Sequence, residues 1–219
     1  MTRRQFRWLL ASIVARLPSS ALRLAMYRAV LGYRFGAGTR IGFGVTISVD
    51  SFDCADHVTI RRGTSFLGPI AVRLAAHTFI GRFNKIECGE GAAKPHVSHM
   101  NYARRFETGE DSLVNEGHHF DVLGRVAIGR GTWIAGFGSQ FLTHGASAVD
   151  RDITIGDHCF VGSAVRFAPG SGVDDRVIVG MGSVVTRRIA ESDAVVAGVP
   201  ARFIKRREAD DGYRFEKNW

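Results

Sequence analysis

From Ile155 to Val185 a hydrophobic residue recurs at every sixth position: Ile155, Val161, Phe167, Val173, Val179 and Val185. Small or polar residues follow most of them (Gly156, Gly162, Ala168, Asp174, Gly180, Thr186), and four residues after each of the first five stands Cys159, Val165, Ser171, Val177 or Ser183, all small. A period of six matches neither a 3.6-residue helix nor simple alternation. It matches short strands joined by tight corners, each coil stacking on the last to bury one continuous core. The ladder residue points inward, and so does the small residue four places later, where the coil is too narrow for bulk. Glycine beside the ladder suits a backbone that turns a corner. The expected fold class is an all-β solenoid of hexapeptide repeats, a parallel β-helix.

The same rhythm starts at Ile41-Gly42 and Ile47, slips near Asp53, and resumes at Ile60, Phe66 and Val72, then at Leu74, Ile80-Gly81 and Ile86. Slips of one or two residues are what corner insertions cause. Between Glu87 and His119 the pattern is lost in a polar stretch containing His96, His99, Asn101, Arg104, Arg105 and His118. Such a segment inside a repetitive core is functional, disordered or a rim loop for oligomer contacts. Rhythm returns at Val122, Ile128, Ile134 and Gln140. Fifteen residues then separate Gln140 from Ile155, three more than two repeats, so the chain bulges beside His144. The expected organisation is a basic helical segment over 1–35, the solenoid over 36–205 with a loop insertion at about 87–119, and a charged tail, helical or frayed, over 206–219.

The net charge of +8 belongs to one end. Residues 1–40 hold eight arginines and no acidic residue, whereas the rest of the chain balances. That is not the basic surface that tracks nucleic acid. Residues 5–17 read as an amphipathic helix ended by Pro18. Ser19 or Ser20 caps a second helix that stops at Gly32. The uncharged run Trp8 to Ala15 is far short of the ~20 residues that span a bilayer. Two roles are open and compatible: peripheral contact with a membrane surface through residues 1–35, or capping of the solenoid's open end. Thr2-Arg3-Arg4-Gln5-Phe6 looks like a twin-arginine signal, but the short apolar run, Arg16 and the lack of a cleavage site oppose export. Three cysteines (Cys54, Cys88, Cys159) are too few and too odd in number for a disulfide framework. The expected location is cytoplasmic, at the inner face of the membrane where the helices touch it.

Three stretches carry a family resemblance. Ile155-Gly156-Asp157-His158-Cys159-Phe160-Val161-Gly162 resembles the IGDxxWIG element of hexapeptide-repeat acyltransferases, with Phe160 in place of the frequent Trp. Val179-Gly180-Met181-Gly182-Ser183-Val184-Val185-Thr186-Arg187 resembles their IGAGSVVTK element, and Gly198-Val199-Pro200-Ala201-Arg202 their closing GNPAK/R motif. The likeness covers residues 120–205 well and 36–90 loosely. It implies a left-handed parallel β-helix, a homotrimer with active sites between neighbouring solenoids, and acetyl-CoA or another acyl-CoA as donor, with no metal. It also implies that His144, after Thr143, is the catalytic histidine, although Gly145 replaces the usual Pro. By likeness to galactoside and maltose acetyltransferases, Asp121 contacts the acceptor; His119 is a second acceptor-binding candidate. Ser163, Met181, Thr186, Arg187 and Arg202 fall where the family contacts coenzyme A.

Acyl transfer needs a base for the acceptor hydroxyl, donors for the oxyanion, and both substrates held together. His144 suits the first role because a neutral imidazole accepts a proton near pH 7. Its second nitrogen needs an acceptor, for which Asp150, Asp152 or a backbone carbonyl are available. The N–H groups of the Gly162-Ser163 corner are candidates for the oxyanion. No cysteine stands beside His144, so direct transfer in a ternary complex is expected. The reading is an O-acetyltransferase acting on a sugar hydroxyl of a small-molecule or glycan acceptor, in cell-surface or exopolysaccharide biosynthesis. Alternatives are an N-acyltransferase on an amino sugar and a non-catalytic solenoid scaffold. A metal-dependent hydratase on this solenoid needs a His-x4-His pair, which the sequence lacks.

Overall fold

A computed structural model describes residues 2–146 and 148–208. Two helices, α1 (Arg3–Val14) and α2 (Ser20–Leu31), precede a three-sided solenoid of short parallel strands. The ladder region shows the repeat in its plainest form. Thr154 pairs with Gly172, Phe160 with Ile178 and Arg166 with Val184, each eighteen residues on, so one coil consumes three hexapeptides. The first face carries Lys85–Glu87, His119–Asp121, Gln140–Leu142, Arg166–Phe167 and Val184–Val185. The second carries Arg105–Thr108, Arg125–Ile128, Ile153–Ile155, Gly172–Val173 and Arg188–Ile189. The third runs from Arg40–Ile41 through Thr59–Ile60, Phe79–Ile80, Leu113–Glu116, Trp133–Phe137, Phe160–Val161 and Ile178–Val179 to Ala194–Gly198. Two long strands, Thr46–Cys54 and Ser65–Leu74, pair with each other on both sides of a register shift and join the first face to the second.

All six ladder residues are buried, as are the small positions Cys159, Val165, Ser171, Val177 and Ser183. The core axis carries a pile of aromatic rings. Phe106 meets Phe120 edge-on at 5.1 Å, and Phe120, Phe141 and Phe167 stack at 4.4 and 5.0 Å. Sharp corners require left-handed backbone. Between the second and third faces it is adopted by His57, His77, Asp111, His158, Arg176 and Asp193. That conformation costs a non-glycine residue about 1–2 kcal/mol. Each N–H here recovers a hydrogen bond to the coil before, as His57 does with Ala37 at 2.7 Å and Arg176 with Asp157 at 2.7 Å.

Two expectations change. The insertion occupies only 88–104, including the 3₁₀ turns Glu90–Ala93 and Pro95–Met100; strands resume at Arg105. The rhythm was hidden because the inward residues Phe106, Val114 and Phe120 are not evenly spaced. The rung assigned to Gln140 belongs to Phe141: a register shift after Ile134 displaces the coil, leaving Gln140 half-buried and Phe141 fully buried. At the C-terminus, Ala201–Arg206 turns back antiparallel onto Ala194–Gly198 and covers the end of the third face. The tail expected from 206 onward lies, over 209–219, outside the described residues.

The helices close the other end. Ser19 caps α2 and Gly32 ends it at φ +69°. Tyr27 is fully buried; its hydroxyl donates to the Val45 carbonyl at 2.8 Å and accepts the Ile47 N–H at 3.2 Å. Arg23, also buried, donates to the carbonyls of Leu17 and Ile41. Arg7 reaches the Val49 carbonyl, Arg28 that of Phe35, and Arg4 pairs with Asp50 and Glu90. Much of the N-terminal positive charge therefore fastens the cap to the solenoid. Among the described residues, no helix is long and apolar enough to cross a membrane.

Candidate active site

Local hydrogen bonds explain why the chain leaves the solenoid after Gln140–Leu142. Thr143 is fully buried. Its hydroxyl donates to the Asp121 carbonyl at 2.7 Å and accepts the N–H groups of Leu123 at 2.7 Å and Gly124 at 2.9 Å. The next residue, His144, then stands outside, its side chain 68% exposed, against the Asp121 carboxylate. Asp121 Oδ2 accepts the backbone N–H of His144 at 3.1 Å and lies 2.7 Å from Nδ1. Asp121 is placed by strand register, between Glu87 and Leu142 on adjacent coils. A carboxylate facing Nδ1 holds the imidazole proton there and leaves the Nε2 lone pair available. Nε2 makes no hydrogen bond among the described residues.

Asp150 and Asp152, considered from sequence as partners of His144, are engaged elsewhere. Asp150 accepts the N–H of Asp152 at 3.2 Å, and Asp152 accepts that of Arg125 at 2.8 Å. Asp150 thus serves an N–H of the excursion itself, and Asp152 ties the excursion to the strand Arg125–Ile128. Asp121, expected to touch the acceptor, has Oδ2 against His144.

A second imidazole–carboxylate pair lies alongside. His119 Nε2 is 3.1 Å from Glu87 Oε1, which Lys85 Nζ also reaches at 2.6 Å. His119 and Asp121 are two residues apart on one strand, so both face outward. His118 points the opposite way and is buried; its Nδ1 accepts the Ser139 N–H at 3.1 Å. Burial pushes the His118 pKa down to about 4, against a small opposing effect of the Ile134 carbonyl. Sequence reasoning missed Glu87, because the 88–104 excursion hides its register match with Asp121.

The expected coenzyme A contacts fall into two groups. Thr186 and Arg187 follow the first-face strand Val184–Val185, on the same edge as His144. Pro169 of the intervening coil lies beside Gly145, where a Cβ would stand 3.4 Å from its ring. At ~4.8 Å per coil, two coils place Arg187 roughly 10 Å along the edge from His144. Arg187 and Arg202 line one cavity of about 460 Å³ with Ile189, Glu191 and Phe203. Arg188 lines it too but is paired with Asp174 at 2.6 Å, and the other two guanidinium groups on one concavity suit phosphate. Ser163 and Met181 lie on another edge, where the third face turns into the first; the Ser163 carbonyl accepts the Gly182 N–H at 2.9 Å, and Met181 is 80% exposed. The Gly162 N–H donates to the Val179 carbonyl at 2.9 Å. It is thus tied into the strand ladder and unavailable to an oxyanion.

The cysteines are poor nucleophiles. Burial, then the Asp121 charge, pushes the Cys88 thiol up to about 12; burial raises Cys159 to about 12 and Cys54 to about 11. Among the described residues, no group of three or more His, Cys, Asp or Glu side chains is placed to hold a metal ion.

No family model matches the chain. It is 26% identical over 171 residues to the bifunctional protein GlmU of Marinobacter nauticus, a match covering 77% of this chain and 36% of that protein. It is 37% identical over 67 residues to the galactoside O-acetyltransferase of Escherichia coli, covering 31% of this chain and 32% of the relative. The chain thus spans about a third of the length of these curated relatives. Among solved structures, the polySia-specific acetyltransferase NeuO superposes with a TM-score of 0.55 at 20% identity, covering 80% of this chain and 85% of NeuO. LpxA of Acinetobacter baumannii gives 0.53 at 15%, covering 80% of this chain and 63% of LpxA. The chain resembles the hexapeptide-repeat acyltransferases in sequence and in fold, and its solenoid is their left-handed parallel β-helix.

Proposed function

We propose that the chain is an acyl-CoA-dependent O-acetyltransferase acting on a sugar hydroxyl, in cell-surface or exopolysaccharide biosynthesis, with His144 as general base. The observation that carries this reading is the Asp121–His144 contact. A carboxylate holds Nδ1, and Nε2 is left to take the proton of an acceptor hydroxyl. Asp121 also stabilises the imidazolium formed as that proton arrives. His119, held by Glu87, flanks the same edge and is assigned to the acceptor. Arg187 and Arg202 are assigned to phosphate groups of coenzyme A, Thr186 to a contact beside them, and Ser163 and Met181 to further contacts. The relatives support the chemistry: one matched protein is a galactoside O-acetyltransferase, and a structural neighbour acetylates polySia.

The separation of Ser163 and Met181 from His144 supports a site completed by a second copy. Homotrimer assembly has a matching surface. Trp133, Phe160, Ile178 and Val195 are register partners whose side chains form an outward apolar row on the third face. The cap offers one more contact surface. Phe6, Trp8, Leu9 and Ile13 are exposed on α1, close to Arg3 and Arg16, which supports peripheral contact with an anionic membrane.

The deciding experiment is acetyl transfer from acetyl-CoA to a panel of sugars bearing free hydroxyl or amino groups. Transfer to a hydroxyl that disappears in His144→Ala, with assembly intact by light scattering, is the expected result. Near-normal turnover by that variant overturns the assignment of the base, and exclusive transfer to an amine overturns the O-transfer reading.

A further inference from the structure

A cavity of about 840 Å³ lies far from His144, on the first three coils of the third face near the helical cap and away from the C-terminal coils that carry Trp133, Phe160, Ile178 and Val195. Its floor is the outward row Arg40, Thr59 and Phe79, which pair in register on three successive coils. One wall is the corner bearing His57 and His77, whose rings stack at 5.1 Å with 8° between their planes. The opposite wall is the corner bearing Arg61, Arg62 and Arg82. Among the described residues, no acidic side chain lines the cavity. Arg82 is paired with Glu116 at 2.6 Å, and Arg62 lies over the Phe83 ring at 5.6 Å. Arg40, Arg61 and Arg62 form no ion pair among the described residues, in contrast to Arg4 and Arg34, which pair with acidic side chains.

Like charges lining one cavity repel one another, and Glu116 offsets only Arg82 among them. Three guanidinium groups around a concave floor match oxyanions spaced along one ligand, because each presents a planar fork to a carboxylate or phosphate. Phe79 adds an aromatic surface to the floor, and the flat, apolar C–H face of a pyranose ring packs on such a surface. The combination selects for a ligand that is both saccharide and anion.

We propose that this trough is an anion-binding subsite for an acidic glycan chain carrying carboxylate or phosphate groups, separate from the His144 site within one protomer. The inference rests on the glycan-acceptor reading for its biological sense, but its test reads binding and not turnover.

Titration calorimetry with the full chain uses three probes: a uronic-acid oligosaccharide, a neutral oligosaccharide of equal length, and inorganic pyrophosphate. The uronic-acid oligosaccharide should bind with an affinity that falls as salt rises, and the neutral one should bind more weakly. Arg61→Ala/Arg62→Ala should weaken the acidic ligand by roughly tenfold or more, the loss expected when charge-assisted contacts are removed. Arg40→Ala should weaken it in the same direction. All three residues are exposed, so the variants should keep the wild-type melting temperature. Equal affinity for acidic and neutral chains, unchanged affinity in the double variant, or no binding of the acidic chain overturns the proposal. Binding of pyrophosphate with no binding of the uronic-acid chain overturns the glycan assignment. His144→Ala should bind the acidic probe as the wild type does, so failure of the transferase reading and failure of this one are distinguishable.

Discussion

Asp121 and His144 are twenty-three residues apart, yet a single carboxylate oxygen, Asp121 Oδ2, meets both the backbone N–H and Nδ1 of His144. The two contacts fix both where the imidazole sits and which nitrogen faces outward. His144→Ala should lower the acetyl-transfer rate by about 10²–10⁴. Asp121→Asn presents an amide to Nδ1 and disturbs the tautomer; it should reduce kcat more than it changes KM for acetyl-CoA. Steady-state kinetics on purified variants checks both.

His118 gives stability a pH dependence. Its folded pKa of about 4 lies below the ordinary ~6.5 of histidine, so on acidification the unfolded chain takes up that proton first. The contribution is complete above pH ~6.5 and is lost as pH falls toward 4, amounting to about 3 kcal/mol at the end of that window. His118→Asn keeps a side-chain acceptor for the Ser139 N–H and removes the titration. Urea unfolding at pH 7 and pH 4.5 should show a smaller acid loss in the variant.

Phe141 stands in the middle of the stacked rings, with Phe120 at 4.4 Å and Phe167 at 5.0 Å. Phe141→Ala should destabilise the solenoid by about 3–5 kcal/mol, because neighbouring coils are locked by strand pairing and cannot collapse into the void. Denaturant melts measure the loss.

Tyr27 joins the helical cap to the first coils through its hydroxyl. Tyr27→Phe leaves the buried Ile47 N–H without its partner and should cost about 1–3 kcal/mol. Hydrogen exchange should quicken at residues 41–49 before it quickens in the ladder region.

The three cysteines should resist alkylation by iodoacetamide at pH 7.5 in the folded protein and react after denaturation, since burial raises each thiol well above neutral pH. Mass spectrometry of native and denatured samples reads the difference.

The parallel solenoid was legible in the sequence because its repeat is local. Every inward rung from Ile155 to Val185 lies within six residues of the next, so spacing alone carries the period. The Thr143–His144 pair was legible for a similar reason, as a break in that rhythm. Legibility failed where insertions intervened. The 88–104 excursion concealed the strands at 105–108 and 113–116, and the corner before Ser139 moved the rung from Gln140 to Phe141.

Sequence by itself thus determined the repeat, the inward residues, the basic N-terminus and the position of the exposed histidine. Only the tertiary structure decided that Asp121 holds His144, that Glu87 holds His119, and that Arg40, Arg61 and Arg62 surround one cavity. The physical reason is register. Side chains on adjacent coils meet according to which strands pair, and each coil's length depends on insertions whose extent no local pattern reveals. Packing of the two helices turned several N-terminal arginines toward backbone carbonyls of the first coils, a use of charge that composition does not disclose.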